Sequence, residues 1–316
     1  MTASVLWQIA QIVLVALLAP LVTGWVRRMK ARLNGRKGAP AIQPYRDLYR
    51  LLQKEAVVAE GTSWVYRAAP YVTVAVSWLA AAIVPTVTTD LALAPAADLV
   101  ALVALLGLAR FWTALAGLDA GTAFGGIGAS REMLIAGLAE PAMLMVTFSV
   151  SLLAGTTALP RIVPFVLAGG IGLSVSAGLA LAALVMVAVA ENGRLPIDNP
   201  ATHLELTMVH EAMVLDYSGR HLAAMEMAGH LRLTLYIALI ICLFLPWGMA
   251  VPGAGAAALA LAMAAFLIKM FGLATALALF ETATAKMRVF RYADFLGGAL
   301  LLGLLATVFQ YVSRAL

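Results

Sequence analysis

Charge and thiol are what this 316-residue chain has least of: Asp, Glu, Lys and Arg together make up 12% of it, and there is one cysteine. A soluble domain of ordinary composition carries about 25% charged and roughly 45–50% apolar residues, whereas here the apolar share is 63%. So few charges cannot solvate a water-exposed surface, and a bilayer must supply most of the solvent. Cys242, inside the apolar run LYIALIICLF, has no partner for an internal disulfide and cannot hold an iron–sulfur cluster, which takes about four thiolates. It reads as a small buried apolar side chain.

What is present is long apolar runs, most of them exceeding the ~20 residues that cross a ~30 Å hydrocarbon core. They predict an all-α integral membrane protein of about eight transmembrane helices in one polytopic domain over 1–316, with spans near 5–26, 66–86, 97–118, 131–154, 162–190, 221–248, 255–281 and 292–314. The first run is expected to stay as a helix rather than be cleaved: no basic residue precedes it, it is too long for a leader, and Arg27 and Arg28 follow it as a stop. Trp7 and Trp25 would stand about 27 Å apart at 1.5 Å per residue, one near each interface. Assigning alternate loops to alternate sides leaves Arg161 and Arg314 alone on one face and gathers nearly every other loop Lys and Arg on the opposite one. The positive-inside bias then puts the long polar loops in the cytoplasm and both termini outside, in the cell (inner) membrane. No internal repeat is evident, which does not encourage a transporter built from inverted repeats.

Function should lie on the basic face. Its first loop ends in AIQPYRDLYRLLQKEA, predicted as an interfacial helix over 42–56 with Ile42, Tyr45, Leu48, Tyr49, Leu52 and Ala56 packed inward and Arg46, Arg50, Gln53 and Lys54 outward. Gln43, Pro44, Tyr45 and Asp47 are its candidates for lining a cavity or meeting a partner; a plain surface helix is the alternative. The net charge of +5 comes mostly from this loop and points to anionic headgroups of the lipid bilayer, with no nucleic-acid partner expected. The next informative stretch, DAGTAFGGIGASREMLIAGLAEPAMLMV, has a flexible glycine cluster, then Arg131–Glu132, then Glu140–Pro141 inside an apolar run. A carboxylate there is expensive and is a functional candidate by default, and the proline can open room for water beside it.

The segment ENGRLPIDNPATHLELTMVHEAMVLDYSGRH is the most acidic of the chain, with Glu191, Asp198, Glu205, Glu211, Asp216 and three of the four histidines. His210–Glu211 does not complete HExxH, so no metal site is expected, and a haem would need two histidines at matched depth where only His230 looks embedded. Arg110, Glu140, Glu226, Arg232 and Lys269 all fall in the basic half of the bilayer. They read either as static ion pairs, Arg110 with Glu140 and Glu226 with Arg232 or Lys269, or as a hydrated chain of titratable groups running inward.

These loops resemble the respiratory complex I subunit 1 family, and more closely its formate hydrogenlyase and hydrogenase-4 branch. GRKGAPAIQPYRDLYRLLQKE is similar to the family's first-loop segment. GGIGASREMLIAGLAEP and DNPATHLELTMVHEA carry the hydrogenase wording, and the latter runs into LDYSG, where complex I subunits usually have Glu at the position of Asp216. The resemblance spans the chain and implies an eight-helix fold. By position it implies a proton path over Glu140, Glu191, Glu205, Glu211 and Asp216, with Arg194 shaping the acidic patch; Glu226 and Lys269 are added as relay candidates, and Arg110, Arg131 and Arg232 as charge partners. It implies [NiFe]-hydrogenase large and small subunits, an iron–sulfur protein and antiporter-like membrane subunits as partners, and no cofactor bound by this chain. The alternatives are a quinone-site subunit of a complex I-like oxidoreductase and an autonomous ion channel or transporter.

Overall fold

The computed structural model describes residues 2–169, 174–198, 208–250, 252–285, 287 and 291–315. Among them there is no strand; eleven α-helices make up the fold: α1 (Thr2–Leu33), α2 (Gln43–Leu52), α3 (Trp64–Ile83), α4 (Leu99–Asp119), α5 (Ala123–Ala154), α6 (Leu159–Leu167), α7 (Val175–Glu191), α8 (His210–Val214), α9 (Gly219–Phe244), α10 (Ala256–Ala283) and α11 (Tyr292–Ala315). Six of these, α1, α4, α5, α9, α10 and α11, are long and apolar enough to cross a bilayer, and α7 is a shorter apolar helix. With α3, 20 residues long, they correspond in order to the eight expected spans.

The most buried of the long helices is α9, with α1, α2, α3, α6, α7 and α10 packed around it, while α5 joins α4, α7 and α11. Alanine supplies much of the contact, as at Ala109, Ala139, Ala142, Ala180 and Ala183, all buried; small side chains let helix backbones approach where lipid offers no hydrophobic drive for association. One end of the bundle gathers the polar elements: the end of α1, α2, the α4–α5 turn, α8, and the start of α9. The other end holds the first turns of α1, the last turns of α11 and three mostly apolar connections. There the amides of Gln8 and Gln11 knit the α3–α4 connection onto α1. Gln11 Nε2 donates to the carbonyls of Ala82 at 2.7 Å and Val84 at 2.8 Å, and its Oε1 accepts from Thr86 Oγ1 at 3.1 Å.

Several expectations are revised. The span expected over 162–190 occurs as two helices, α6 and α7, and α6 packs on α5 and α9 rather than continuing α7. The glycine cluster is ordered helix at the start of α5, capped by Thr122 Oγ1 accepting from Gly125 N at 3.0 Å. Two of its glycines serve close approach: a Cβ on Gly125 would stand 2.3 Å from Gly117 O, and one on Gly128 2.9 Å from Met213 Cγ. Trp25 is a packing residue, its indole donating to Thr275 Oγ1 at 2.9 Å, and α1 runs on to Leu33. The interfacial helix stops at Leu52, and Tyr49 and Leu52 are exposed while Pro44 is buried. Gln43 and Asp47, hydrogen-bonded at 3.0 Å, are half-buried on the helix, so part of its apolar stripe is left facing outward.

Candidate functional site

At the centre of the site is a buried arginine. Arg110 sits in the second half of α4, 3% exposed, and three carboxylates reach it from two other helices. Glu132 Oε1 of α5 lies 3.5 Å from Nε, Glu140 Oε1 of α5 lies 3.5 Å from Nη1, and Glu191, the last residue of α7, contacts Nη2 directly. A buried charge left unpaired costs several kcal/mol, so this convergence is what lets Arg110 stand inside the bundle. Gly107, one turn before it, leaves room for the acid: a Cβ there would stand 3.3 Å from Glu140 Oε1. Arg232 of α9, also buried, donates to the carbonyl of Glu191 at 3.4 Å, where the α7 dipole presents its negative end. The cluster is graded in exposure. Glu132 and Glu191 are buried, but the Glu140 side chain keeps 44% of its surface open.

Beside this cluster, toward the polar end, is a cavity of about 580 Å³ between α1, α8, α9 and the turn after α7. Its lining includes Arg27, Lys30 and Arg194, the carboxylates of Glu211 and Glu226, and the imidazoles of His210 and His230. His230 is buried, and its Nε2 has no hydrogen-bond partner. His210 opens α8 and stands between cavity and cluster. Burial lowers its pKa from the ordinary imidazole value, the charge of Arg232 lowers it further, and those of Glu132 and Asp198 oppose. A second ion cluster closes the cavity on the α10 side: Glu281, buried, pairs with Lys30 at 2.6 Å and Arg194 at 3.4 Å.

Other sequence candidates are placed around this core. Asp216 accepts from Thr122 Oγ1 at 2.7 Å, tying it to the start of α5. The neighbouring Tyr217 stacks on Tyr66 with ring centroids 4.3 Å apart and donates to its carbonyl at 3.0 Å; burial raises the phenol's pKa and keeps it a donor. Arg131 donates to Met208 O at 2.7 Å, and buried Asp198 accepts from Val209 N. Gln43, Pro44, Tyr45 and Asp47 are absent from the cavity lining, although the charge of Asp47 reaches Glu226 and His230. Tyr45 instead donates to the carbonyl of Leu17.

The alternative of a static ion pair between Glu226 and Arg232 or Lys269 is not met among the described residues, whereas Arg110 does reach Glu140. Lys269 Nζ donates to the carbonyls of Leu245 at 2.8 Å and Trp247 at 2.6 Å, capping α9 at the end away from the cavity, where a cation suits the helix dipole. Glu205 lies outside the described residues. Sequence reasoning missed Glu132, Glu281 and the linking position of His210. For Glu132 a signal existed, since it lies eight residues before Glu140 on the same helix.

The chain is a multi-pass helical membrane protein with a cavity at one end beside buried carboxylates; among the described residues there is no group of three or more His, Cys, Asp or Glu side chains that could hold a metal ion. The chain belongs to the NADH dehydrogenase family, whose model matches residues 7–312, in agreement with the resemblance to complex I subunit 1. It is 34% identical over 287 residues to formate hydrogenlyase subunit 4 of Escherichia coli (strain K12), covering 90% of this chain and 92% of that one. It is 33% identical over 246 residues to hydrogenase-4 component C of the same organism, covering 78% and 77%. The fold matches a chain of the membrane-bound sulfane sulfur reductase, an archaeal respiratory membrane complex, with a TM-score of 0.82 at 17% identity, covering 96% of this chain and 98% of that one.

Proposed function

We propose that this chain is the membrane-embedded, proton-coupling subunit of a [NiFe]-hydrogenase complex of the formate hydrogenlyase type. In this reading the polar end faces the cytoplasm, both termini lie outside, and the hydrogenase large and small subunits with their iron–sulfur protein dock over the cavity. The single observation that carries the reading is the graded series from cavity to bilayer: Glu211 and Glu226 in the cavity wall, His210 beside them, Glu132 and Glu191 on Arg110, and Glu140 half open at the far side. Three carboxylates around two guanidiniums leave one negative charge that a transferable proton can neutralise. An open carboxylate facing hydrocarbon is costly, so the Glu140 face calls for cover, and an antiporter-like membrane subunit that takes the proton onward supplies it. The similarity to formate hydrogenlyase subunit 4 and hydrogenase-4 component C supports the choice of complex.

The test is Glu140→Gln in the assembled complex, scored by hydrogen-linked proton movement in vesicles. Assembly at the wild-type level with proton movement depressed at least tenfold is expected; full proton movement at full assembly refutes Glu140 as a relay.

A second reading, a quinone-site subunit of a complex I-like oxidoreductase, is favoured by the orphaned His230 Nε2 in a cavity of about 580 Å³, which a quinone carbonyl fits. Bound there, a quinone would accept electrons from a docked partner. Neighbouring genes discriminate: nickel-binding cysteine pairs in the partner large subunit support the hydrogenase, and their absence supports the quinone reductase.

A further inference from the structure

Helix α3 turns hydroxyls inward and apolar side chains outward. Among the described helices of crossing length, it alone falls outside the six that are apolar enough to cross on composition. Tyr71, Trp78 and Leu79 are exposed on it, whereas Tyr66, Thr73 and Ser77 are buried. These three share one helical stripe with Ala69, which clusters with Ala116 of α4 and Met225 of α9. Tyr66 Oη, Thr73 Oγ1 and Ser77 Oγ have no hydrogen-bond partner among the described residues. The usual outlet for a hydroxyl inside a helix is the carbonyl four residues back. Thr113, Thr147 and Thr234 take it, but Thr73 and Ser77 do not.

Depth can be compared along the three helices, because α3 and α9 start at the polar end and α4 finishes there. Measured inward from Ala69, Thr73 and Ser77 lie about 6 and 12 Å further along at 1.5 Å per residue. On the same measure Arg110 lies roughly 9 Å inward of Ala116, and Arg232 roughly 10 Å inward of Met225. The two hydroxyls of α3 therefore bracket the depth of both buried guanidiniums. Toward the polar end the stripe meets the large cavity through Tyr217, which lines that cavity and stacks on Tyr66. Pro70, inside α3, has no N–H to offer the Tyr66 carbonyl, and the Tyr217 hydroxyl donates to it instead at 3.0 Å.

Buried hydroxyls find partners in protein or in ordered water, and a buried water takes about three hydrogen bonds from groups otherwise left unmade. We propose that the seam between α3, α4 and α9 binds a file of ordered water, held by the hydroxyls of Tyr66, Thr73 and Ser77, that leads from the cavity wall at Tyr217 to the depth of Arg110 and Arg232. It is a second approach to the carboxylate cluster, apart from the one beside His210. The presence of the water file stands without the proton-coupling reading, and only its part in supplying protons rests on that reading.

Two measurements on the intact purified complex test this. A cryo-electron-microscopy map that resolves ordered water should show density within hydrogen-bonding distance of Thr73 Oγ1 and Ser77 Oγ. Thr73→Val, which keeps the shape and removes the hydroxyl, should lose the density beside residue 73. Hydroxyls bonded back to the carbonyls of Ala69 and Thr73, with no water between the three helices, overturn the proposal. In vesicles, Thr73→Val/Ser77→Ala should slow hydrogen-linked proton movement about fivefold at wild-type assembly, the effect of one lost hydrogen bond on a rate. An unchanged rate overturns the part in proton supply. Water in the seam together with full proton movement in Glu140→Gln would refute the relay and uphold the water file. Should the double variant fail to assemble, Ser77→Ala alone decides the rate.

Discussion

The guanidinium of Arg110, midway along the membrane span of α4, meets the carboxylate of Glu191 at the very end of α7. The contact spans 81 positions of sequence and joins a helix interior to a helix terminus, so it fixes how far α7 descends beside α4. The same guanidinium reaches Glu132 and Glu140, which makes Arg110 the hub on which three helices agree in register.

Removing that hub leaves three carboxylates without their cation. Arg110→Ala should destabilise the chain by about 3–5 kcal/mol, the usual cost of breaking a buried pair from one side. Arg110 and Glu191 touch, so their effects should not add: the double variant Arg110→Ala/Glu191→Ala is expected to cost clearly less than the sum of the two single ones. Thermal midpoints of the detergent-solubilised complex for all four members of the cycle check this, and strict additivity would show that the pair carries no coupling.

The all-helical membrane fold and the amphipathic helix after α1 were legible in the sequence, because the length of an apolar run reports directly on the bilayer. The site was legible in part. Arg110 and Glu140 stood out as charges inside apolar runs, and Glu191 through its loop. Glu281 did not, since it closes an apolar run at a membrane edge, where a carboxylate is ordinary; only the arrival of Lys30 from α1 and Arg194 from the α7 turn makes it a cluster. Lys269 misled in the opposite direction. Depth counted along a helix says nothing of which way a long side chain reaches, and this one turns to the carbonyls of Leu245 and Trp247. The α6–α7 break escaped because LPRIVPFVLAGGIGLSVSAGLA stays apolar across it, and hydropathy reads composition rather than helix continuity.

At the opposite end, Gln11 satisfies two carbonyls and two donors of the α3–α4 connection. Gln11→Leu has nearly the same volume but abandons them all in a buried setting, where each orphaned group costs about 1–3 kcal/mol. A fall in thermal midpoint and faster amide exchange across 84–93 are expected, with exchange at α8 unchanged. Exchange that rises equally at both ends would show that the bundle opens as one unit rather than from this seal.

The pH dependence of stability should carry the signature of His210. Burial holds its pKa below the ordinary value of 6.5, so on acidification the unfolded chain takes up this proton before the folded one does. Wherever the unfolded state binds more protons, stability falls as pH falls. The contribution of His210 is therefore intact above about 6.5, declines as pH drops through that value, and stops changing once the pH passes the lowered folded value and both states are protonated. His210→Gln keeps a polar side chain of similar reach and removes the titration. Thermal midpoints of the assembled complex between pH 8 and pH 5 should fall less steeply below about 6.5 in the variant than in the wild type. Parallel curves would mean that the imidazole takes up protons equally well in the folded and unfolded states.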